Sequence, residues 1–417
     1  MAISIENLEL AKFFLAITML LVSAHFFGYM FSRLKLPKVV GEIFGGLILG
    51  PTFLGYFSPD IYNRIFLSQG KLLAIIYWFG LVLLMFSSGF EVERKFSKED
   101  KKNIAGLVMG STVFPLVFGW AAASFFDLSR LIGPAKNVLA LKLIVVASIA
   151  VTSIPVLSKI FFDLGIIKTR FAKIVLSTAT FHDIILWVIV AVATALVSGA
   201  SVSLGNISVH VLISLALFAI AMLIAPKIIK FVDNLRLYII PKNYEAGFII
   251  FILLFFVVIS SYFDVNVIFG AFLAGIVVGF IKNPKFQKVK VHVKEFSFAL
   301  FVPVYFAIVG IKLDLVHHLD LMFVIGFFIF AFAVQGIGVL VTSRLLGYGW
   351  KSGLNLAMAL NNRGGPGIVV ATLAFDLRII NENFFVALVL LAIITSITAG
   401  SWLRYAISRK WKLLDLG

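Results

Sequence analysis

The chain contains no cysteine. Disulfide frameworks and thiolate metal centres are excluded on that count alone. Charge is also scarce: Asp, Glu, Lys and Arg make up 13% of the 417 residues, about half the share of a soluble protein. No sizeable soluble domain is expected from such a composition. Zinc-type spacings, a phosphate-binding glycine loop and a nucleophile elbow are all missing. That leaves no basis for an enzyme or a bound cofactor; an intramembrane enzyme built on His182 and Asp183 would need a nucleophile or a metal. Acidic residues are few, 20 against 36 Lys plus Arg, and the net charge is +16. Such a surplus suggests nucleic acid until the positions of the cations are considered.

What is present is apolar. Hydrophobic residues make up 61% of the chain, and the mean hydropathy is +1.08. Runs of roughly 18–25 apolar residues recur from end to end, each long enough to cross a bilayer as a helix. Only helices and closed barrels satisfy their backbone in lipid, and these runs lack the alternation of barrel strands. The expected fold is therefore an all-α polytopic membrane protein. About thirteen transmembrane helices are read at 8–32, 38–57, 70–90, 103–126, 137–161, 171–198, 207–231, 245–262, 264–282, 296–313, 319–343, 352–376 and 383–406. The first run, Leu8 to Leu34, is too long for a cleavable signal peptide.

Lys and Arg crowd into alternate loops: Arg33–Lys38, Arg94–Lys102, Lys159–Lys173, Lys227–Lys242, Lys282–Lys294, Arg344–Lys351 and Arg404–Lys412. The intervening loops hold only Arg64, Lys71, Arg130, Lys136, Lys312 and Arg378. This bias sets the basic loops in the cytoplasm, with the N-terminus outside and the C-terminus inside a cell (inner) membrane. The cations face anionic lipid headgroups and not nucleic acid.

Three segment pairs repeat. GEIFGGLILGP (41–51) matches GAFLAGIVVGF (270–280), LLMFSSGFEV (83–92) matches VYFAIVGIKL (304–313), and the polar interruption SIAVTSIPVL (148–157) matches ALNNRGGPGI (359–368). Partners lie seven spans apart, an odd number, so the copies have opposite membrane orientation, as in secondary transporters. The division expected is 1–206 for a first inverted repeat of about six helices, 207–244 for a linker helix and cytoplasmic loop, and 245–417 for a second repeat of about six helices with a short cytoplasmic C-terminus.

The polar residues inside the spans are the candidate site. Asp183 lies in the stretch TATFHDIILW, where Ile174 to Ser198 is otherwise uncharged; a carboxylate at that depth is a functional residue by default. It can hold either a proton or a monovalent metal cation, and one site taken by one or the other exchanges them one for one. His182 lies about 100° around the helix from Asp183; it tunes Asp183, relays protons or packs. In Thr152-Ser153-Ile154-Pro155 the proline frees backbone carbonyls and the two hydroxyls add oxygens, the ligands that a dehydrated monovalent cation needs. Asn361-Asn362-Arg363-Gly364-Gly365-Pro366-Gly367 cannot continue a regular helix cheaply and sets a permanent cation at depth. Glu42, Asp183 or a helix C-terminal end can balance Arg363. Glu42 itself is a snorkelling or capping carboxylate, or an internal partner of Arg363.

At LPKVVGEIFGGLILGP (36–51), GLVLLMFSSGFEVE (80–93), GAFLAGIVVG (270–279), FVPVYFAIVGIKLD (301–314) and NNRGGPGIVVATLAFDLRIINENFFVALVLLAIITS (361–396) the chain resembles the cation/proton antiporter superfamily, in its bacterial branch of sodium- or potassium-proton exchangers. The resemblance implies two inverted repeats, a dimerisation domain, and a mobile core with two crossing discontinuous helices at Thr152–Pro155 and Asn361–Gly367. It also implies elevator-like exchange within a homodimer, Asp183 as the ion-binding aspartate, and a role in pH homeostasis. Relatives commonly carry Asp-Asp, Asn-Asp or Gln-Asp where this chain has His182-Asp183. Electrogenic relatives add a lysine in the tenth span, and Phe301 to Gly310 contains none. Both departures point to electroneutral exchange of Na+ or K+ for H+. The alternative is a gated potassium efflux pathway like the membrane part of the glutathione-gated systems, whose cytoplasmic nucleotide-binding domain is then either absent or truncated away.

Overall fold

The computed structural model describes residues 6–90, 100–123, 127–197, 204–234, 244–263 and 265–415. Of the expected loop cations, Arg94, Lys95, Lys98, Arg236 and Lys242 lie outside those residues. Every regular element among the described residues is helical, and a lone antiparallel bridge joins Ile132 to Ile380. Among the described residues, eleven helical segments are long and apolar enough to cross a membrane, with Val138–Asp163 counted across its interruption, and there are two shorter apolar helices, Val267–Gly279 and Gly364–Asp376. The chain is an all-helical, multi-pass membrane protein.

Local chemistry sets where these helices begin and stop. Asn137, Thr169, Asp320 and Asn381 each accept a hydrogen bond from the backbone N–H three residues on, at 3.0–3.3 Å, which satisfies donors that the first turn leaves orphaned. Gly165 and Gly347 follow helix ends in the left-handed region, at φ +70° and +86°, where a side chain would be strained. The helix expected from residue 296 instead starts at Pro284, because the basic stretch PKFQKVKVHVKEF continues it. Asn283 caps it through the Lys285 N–H, and Lys290 is buried with its Nζ donating to the Ile281 carbonyl at 2.7 Å. The spans read at 137–161 and 352–376 are each interrupted at the polar stretch within them and form two helices. The first divides into Val138–Ala150 and Ile154–Asp163, the second into Trp350–Leu360 and Gly364–Asp376. Three π-helical turns, Met109–Val113, Ile220–Ile224 and Ser297–Phe301, widen longer helices by one residue each.

The chain divides into two compact units. One comprises Met1–Gly89, Ala225–Val257 and Ala271–Leu319. Its helices approach backbone to backbone through glycine, the way helices associate without a hydrophobic driving force. A Cβ on Gly46 would strike the Ala307 carbonyl, and one on Gly310 would strike the Ile43 carbonyl. A Cβ on Gly275 would strike the Phe86 carbonyl, and one on Gly89 the Phe272 carbonyl. In the sequence pairs given above, Gly46 matches Gly275, Ala307 matches Phe86 and Gly310 matches Gly89. The two contacts therefore correspond position for position, with the partners exchanged.

The other unit comprises Phe90–Ile224, Val258–Gly270 and Asp320–Gly417. It holds both broken helices, the helix Arg170–Ala195 with His182 and Asp183, and the helices Leu321–Leu345 and Glu382–Ser408. A buried apolar cluster that includes Leu107, Phe161, Phe171, Val339, Leu356 and Leu403 ties these elements together.

Gly46→Val should cost at least about 3 kcal/mol, since overpacking here displaces backbone and not a flexible side chain. Thermal unfolding in detergent should show a large fall in midpoint. Gly326→Ala, whose Cβ would meet nothing, should leave the midpoint close to wild type.

Candidate functional site

The polar centre of the second unit is built from two helix interruptions. Val151-Thr152-Ser153 breaks the first helix, and Asn361-Asn362-Arg363 breaks the other. The breaks meet: the Ser153 N–H donates to the Asn362 carbonyl at 2.6 Å, and the Thr152 hydroxyl donates to the Leu360 carbonyl at 2.5 Å. Gly364 is essential to this approach, having φ +40° and a would-be Cβ only 2.5 Å from Ser153 Oγ. Gly365 has open space around its own, so close packing does not explain it. Pro155 lies in the first turn of Ile154–Asp163, where its missing N–H costs nothing.

A helix that stops in an apolar interior leaves four C-terminal carbonyls without partners. For Val138–Ala150 all four are satisfied. Ala147 O accepts from the Val151 N–H at 3.1 Å, Ser148 O from Arg363 Nε and Ile149 O from Arg363 Nη2 at 2.9 Å each, and Ala150 O from Gln335 Nε2 at 3.3 Å. The remaining Arg363 donors reach the Asn361 carbonyl (3.0 Å), Asn361 Oδ1 (2.9 Å) and the Ala331 carbonyl (3.0 Å). All five guanidinium hydrogens thus go to neutral oxygens, in a buried side chain. Of the three partners open from sequence, a helix C-terminal end is the one that Arg363 takes. Glu42 belongs to the other unit and pairs with Lys38 at 3.0 Å.

Thr152 aligns with Arg363 in the third sequence pair, and Leu360 with Ile149. Each break therefore caps the carbonyl end of the other at matching positions, Thr152 on Leu360 and Arg363 on Ile149.

His182 and Asp183 are both buried. His182 Nδ1 lies 2.7 Å from Thr152 Oγ1 and its Nε2 lies 2.5 Å from Ser111 Oγ. Ser111 sits in the π-turn Met109–Val113, and its hydroxyl also reaches the Leu107 carbonyl. The imidazole thus ties a third helix to the first break. Asn361 donates through Nδ2 to the Phe332 carbonyl at 3.0 Å, and Asn362 Oδ1 accepts from Ser396 Oγ at 2.8 Å. Three buried polar atoms at the breaks, Ser153 Oγ, Asn362 Nδ2 and Gln335 Oε1, have no hydrogen-bond partner among the described residues.

Sequence reasoning gathered Thr152, Ser153, His182, Asn361, Asn362 and Arg363, and the structure brings these together. It missed Ser111, Gln335 and Ser396. Gln335 had a signal, being the lone amide in the apolar run Leu321–Leu345. Ser111 and Ser396 had none, since single hydroxyls are common in such helices.

The family model for the transmembrane sodium/hydrogen exchanger matches residues 21–408. The Na(+)/H(+) antiporter NhaS4 of Synechocystis sp. is 29% identical over 390 residues, spanning 90% of this chain and 92% of that protein. The K(+)/H(+) antiporter 1 of Saccharomyces cerevisiae is 30% identical over 383 residues, 88% of this chain but 43% of its own greater length. The Na(+)/H(+)-K(+) antiporter GerN of Bacillus cereus is 25% identical over 97% of this chain and 98% of its own. Among solved structures, the sodium proton antiporter MjNhaP1 from Methanocaldococcus jannaschii superposes with a TM-score of 0.66 at 15% identity, over 95% of this chain and 97% of that one.

Replacing Arg363 tests the capping. Arg363→Met should destabilise by roughly 3 kcal/mol or more, because buried carbonyls lose charge-assisted donors. Arg363→Lys keeps the charge without the planar fork and should recover only part of this. Thermal unfolding of the three proteins in the same detergent gives the ranking.

Proposed function

The chain belongs to the transmembrane sodium/hydrogen exchanger family, a family of transporters and not of enzymes, and it is a cation/proton antiporter; we propose that Asp183 is the group for which the two ions compete. The observation that carries the reading is a carboxylate buried in a membrane helix, beside a histidine that reaches the meeting point of two broken helices. Burial of a carboxylate is tolerated where a proton or a metal cation neutralises it. Where one carboxylate serves both ions, loading one requires release of the other.

Thr152 and Ser153 supply neutral oxygens beside the break, the type of ligand that replaces the water of an alkali cation. Pro155, Gly364 and Gly365 keep the helices interrupted, and Asn361, Asn362 and Arg363 hold the interruptions together. Glu42, with its Lys38 partner, serves the other unit. The cation is Na+ or K+, since relatives named for each resemble the chain comparably. Exchange is electroneutral, in keeping with the absence of lysine from Phe301 to Gly310. The matching glycine contacts and reciprocal caps support two inverted repeats, 1–206 and 245–417 around a linker at 207–244, and alternating access by an elevator movement in a homodimer. The skew of basic loops favours a cytoplasmic C-terminus in the cell membrane and contact with anionic lipid.

In proteoliposomes, Asp183→Asn should abolish cation-dependent proton movement while the protein still folds; retained exchange would remove Asp183 from the mechanism. Clamping the membrane potential at zero and then at about 100 mV should leave the wild-type rate unchanged, because a neutral cycle moves no charge through the field. A rate that follows voltage contradicts electroneutrality.

A further inference from the structure

Gln335 takes no part in the hydrogen bonds given above for His182 or for the Arg363 guanidinium, yet its side chain is fully buried against the first break. Its Nε2 lies between two oxygens, 3.3 Å from the Ala150 carbonyl and 3.4 Å from Thr152 Oγ1. Both contacts are long for hydrogen bonds, and they are the loosest at a break where the other caps measure 2.5–3.1 Å. The acceptor of the same amide, Oε1, is buried with no hydrogen-bond partner among the described residues. Leaving a buried acceptor unmatched is costly. The amide orientation is fixed by chemistry, because turning Oε1 toward Ala150 O would set two acceptors against each other.

The electropositive NH2 group therefore sits where a small cation would meet two neutral oxygens. Rotating the amide by half a turn about its last side-chain bond would withdraw that group and present Oε1 in its place. Three oxygens would then converge: Ala150 O, Thr152 Oγ1 and Gln335 Oε1. All are neutral, which suits an alkali cation stripped of water. Thr152 can serve without giving up its other bonds. Its hydrogen goes to Leu360 O and one lone pair faces His182 Nδ1, while the lone pair now turned to the amide is the one that a cation would take.

We propose that Gln335 is a cation-ligating residue, contributed by the helix Leu321–Leu345, whose amide caps the first break when no cation is bound and turns its oxygen to Na+ or K+ when one is. The assignment rests on the antiport reading given above and deepens it by naming a ligand from a third element. It also gives the unmatched Oε1 a purpose that a purely structural cap does not.

Two substitutions separate ligand from cap. Gln335→Met has similar length and no polar atoms. Gln335→Glu keeps the shape and an oxygen but loses the N–H donors. Removal of one ligand should raise the cation KM about tenfold in Gln335→Met, with Vmax within about twofold of wild type, for Na+ and K+ tested separately. Gln335→Glu should hold the wild-type KM or lower it. Equal impairment of both variants, or a wild-type KM in Gln335→Met, overturns the proposal, because a cap would fail in both and an idle amide in neither. If Gln335→Met does not fold, a raised KM in Gln335→Glu alone has the same force. A second measurement needs no transport: NaCl or KCl, against choline chloride, should raise the thermal unfolding midpoint of wild type and Gln335→Glu but not of Gln335→Met. Should wild type show that stabilisation without exchanging protons, the antiport reading fails while the cation site stands.

Discussion

Interrupting a helix inside an apolar environment leaves carbonyls and amides that cannot turn to water, so the protein must supply every partner itself. The centre of this molecule is organised by that demand. The last four carbonyls of Val138–Ala150 are taken by one backbone amide, by two edges of the Arg363 guanidinium and by Gln335. Arg363 is drawn from the loop that ends the other half-helix, so satisfying one break fixes the position of the second. Thr152 returns the favour on Leu360. Removal of either partner would leave both interruptions short of hydrogen bonds, and in this sense the crossing is one structure and not two.

The charge of Arg363 is carried by dipoles alone. Its five hydrogens meet oxygens of Ser148, Ile149, Ala331 and Asn361, and no carboxylate among the described residues forms an ion pair with it. Carbonyls at a helix C-terminus carry partial negative charge, enough to accept a guanidinium without consuming an acid. Asp183 is therefore not the residue that balances Arg363, and the role proposed for Asp183 does not compete with the capping.

Much of this was legible from the chain. Long apolar runs gave the helices, Pro155 and the Asn361–Gly367 stretch gave the breaks, and an ionisable residue at depth gave the candidate site. Boundaries shifted where polar sequence kept helical geometry, as at Pro284–Phe296, because hydropathy reports the bilayer and not where a helix ends. The partner of Arg363 was beyond reach, since a carbonyl end has no side-chain signature and Ser148 lies 215 positions away. Glu42 is a different case: its partner Lys38 stands one helical turn earlier, a spacing from which a local pair could have been read. Gln335 could have been noticed as a solitary amide, but its contact with Ala150 needed the tertiary fold.

The π-turn at Met109–Val113 carries a consequence for how this span can change. Its extra residue sets Ser111 against His182. Because the widened turn absorbs that residue, deleting a single amino acid there would close the coil to ordinary pitch while Gly119 keeps its place against Ile149 and Val146, and the contact of Ser111 with His182 would be the one lost. The extra residue thus serves one contact, that of a hydroxyl with the imidazole, and leaves the rest of the span packed as an ordinary helix would be.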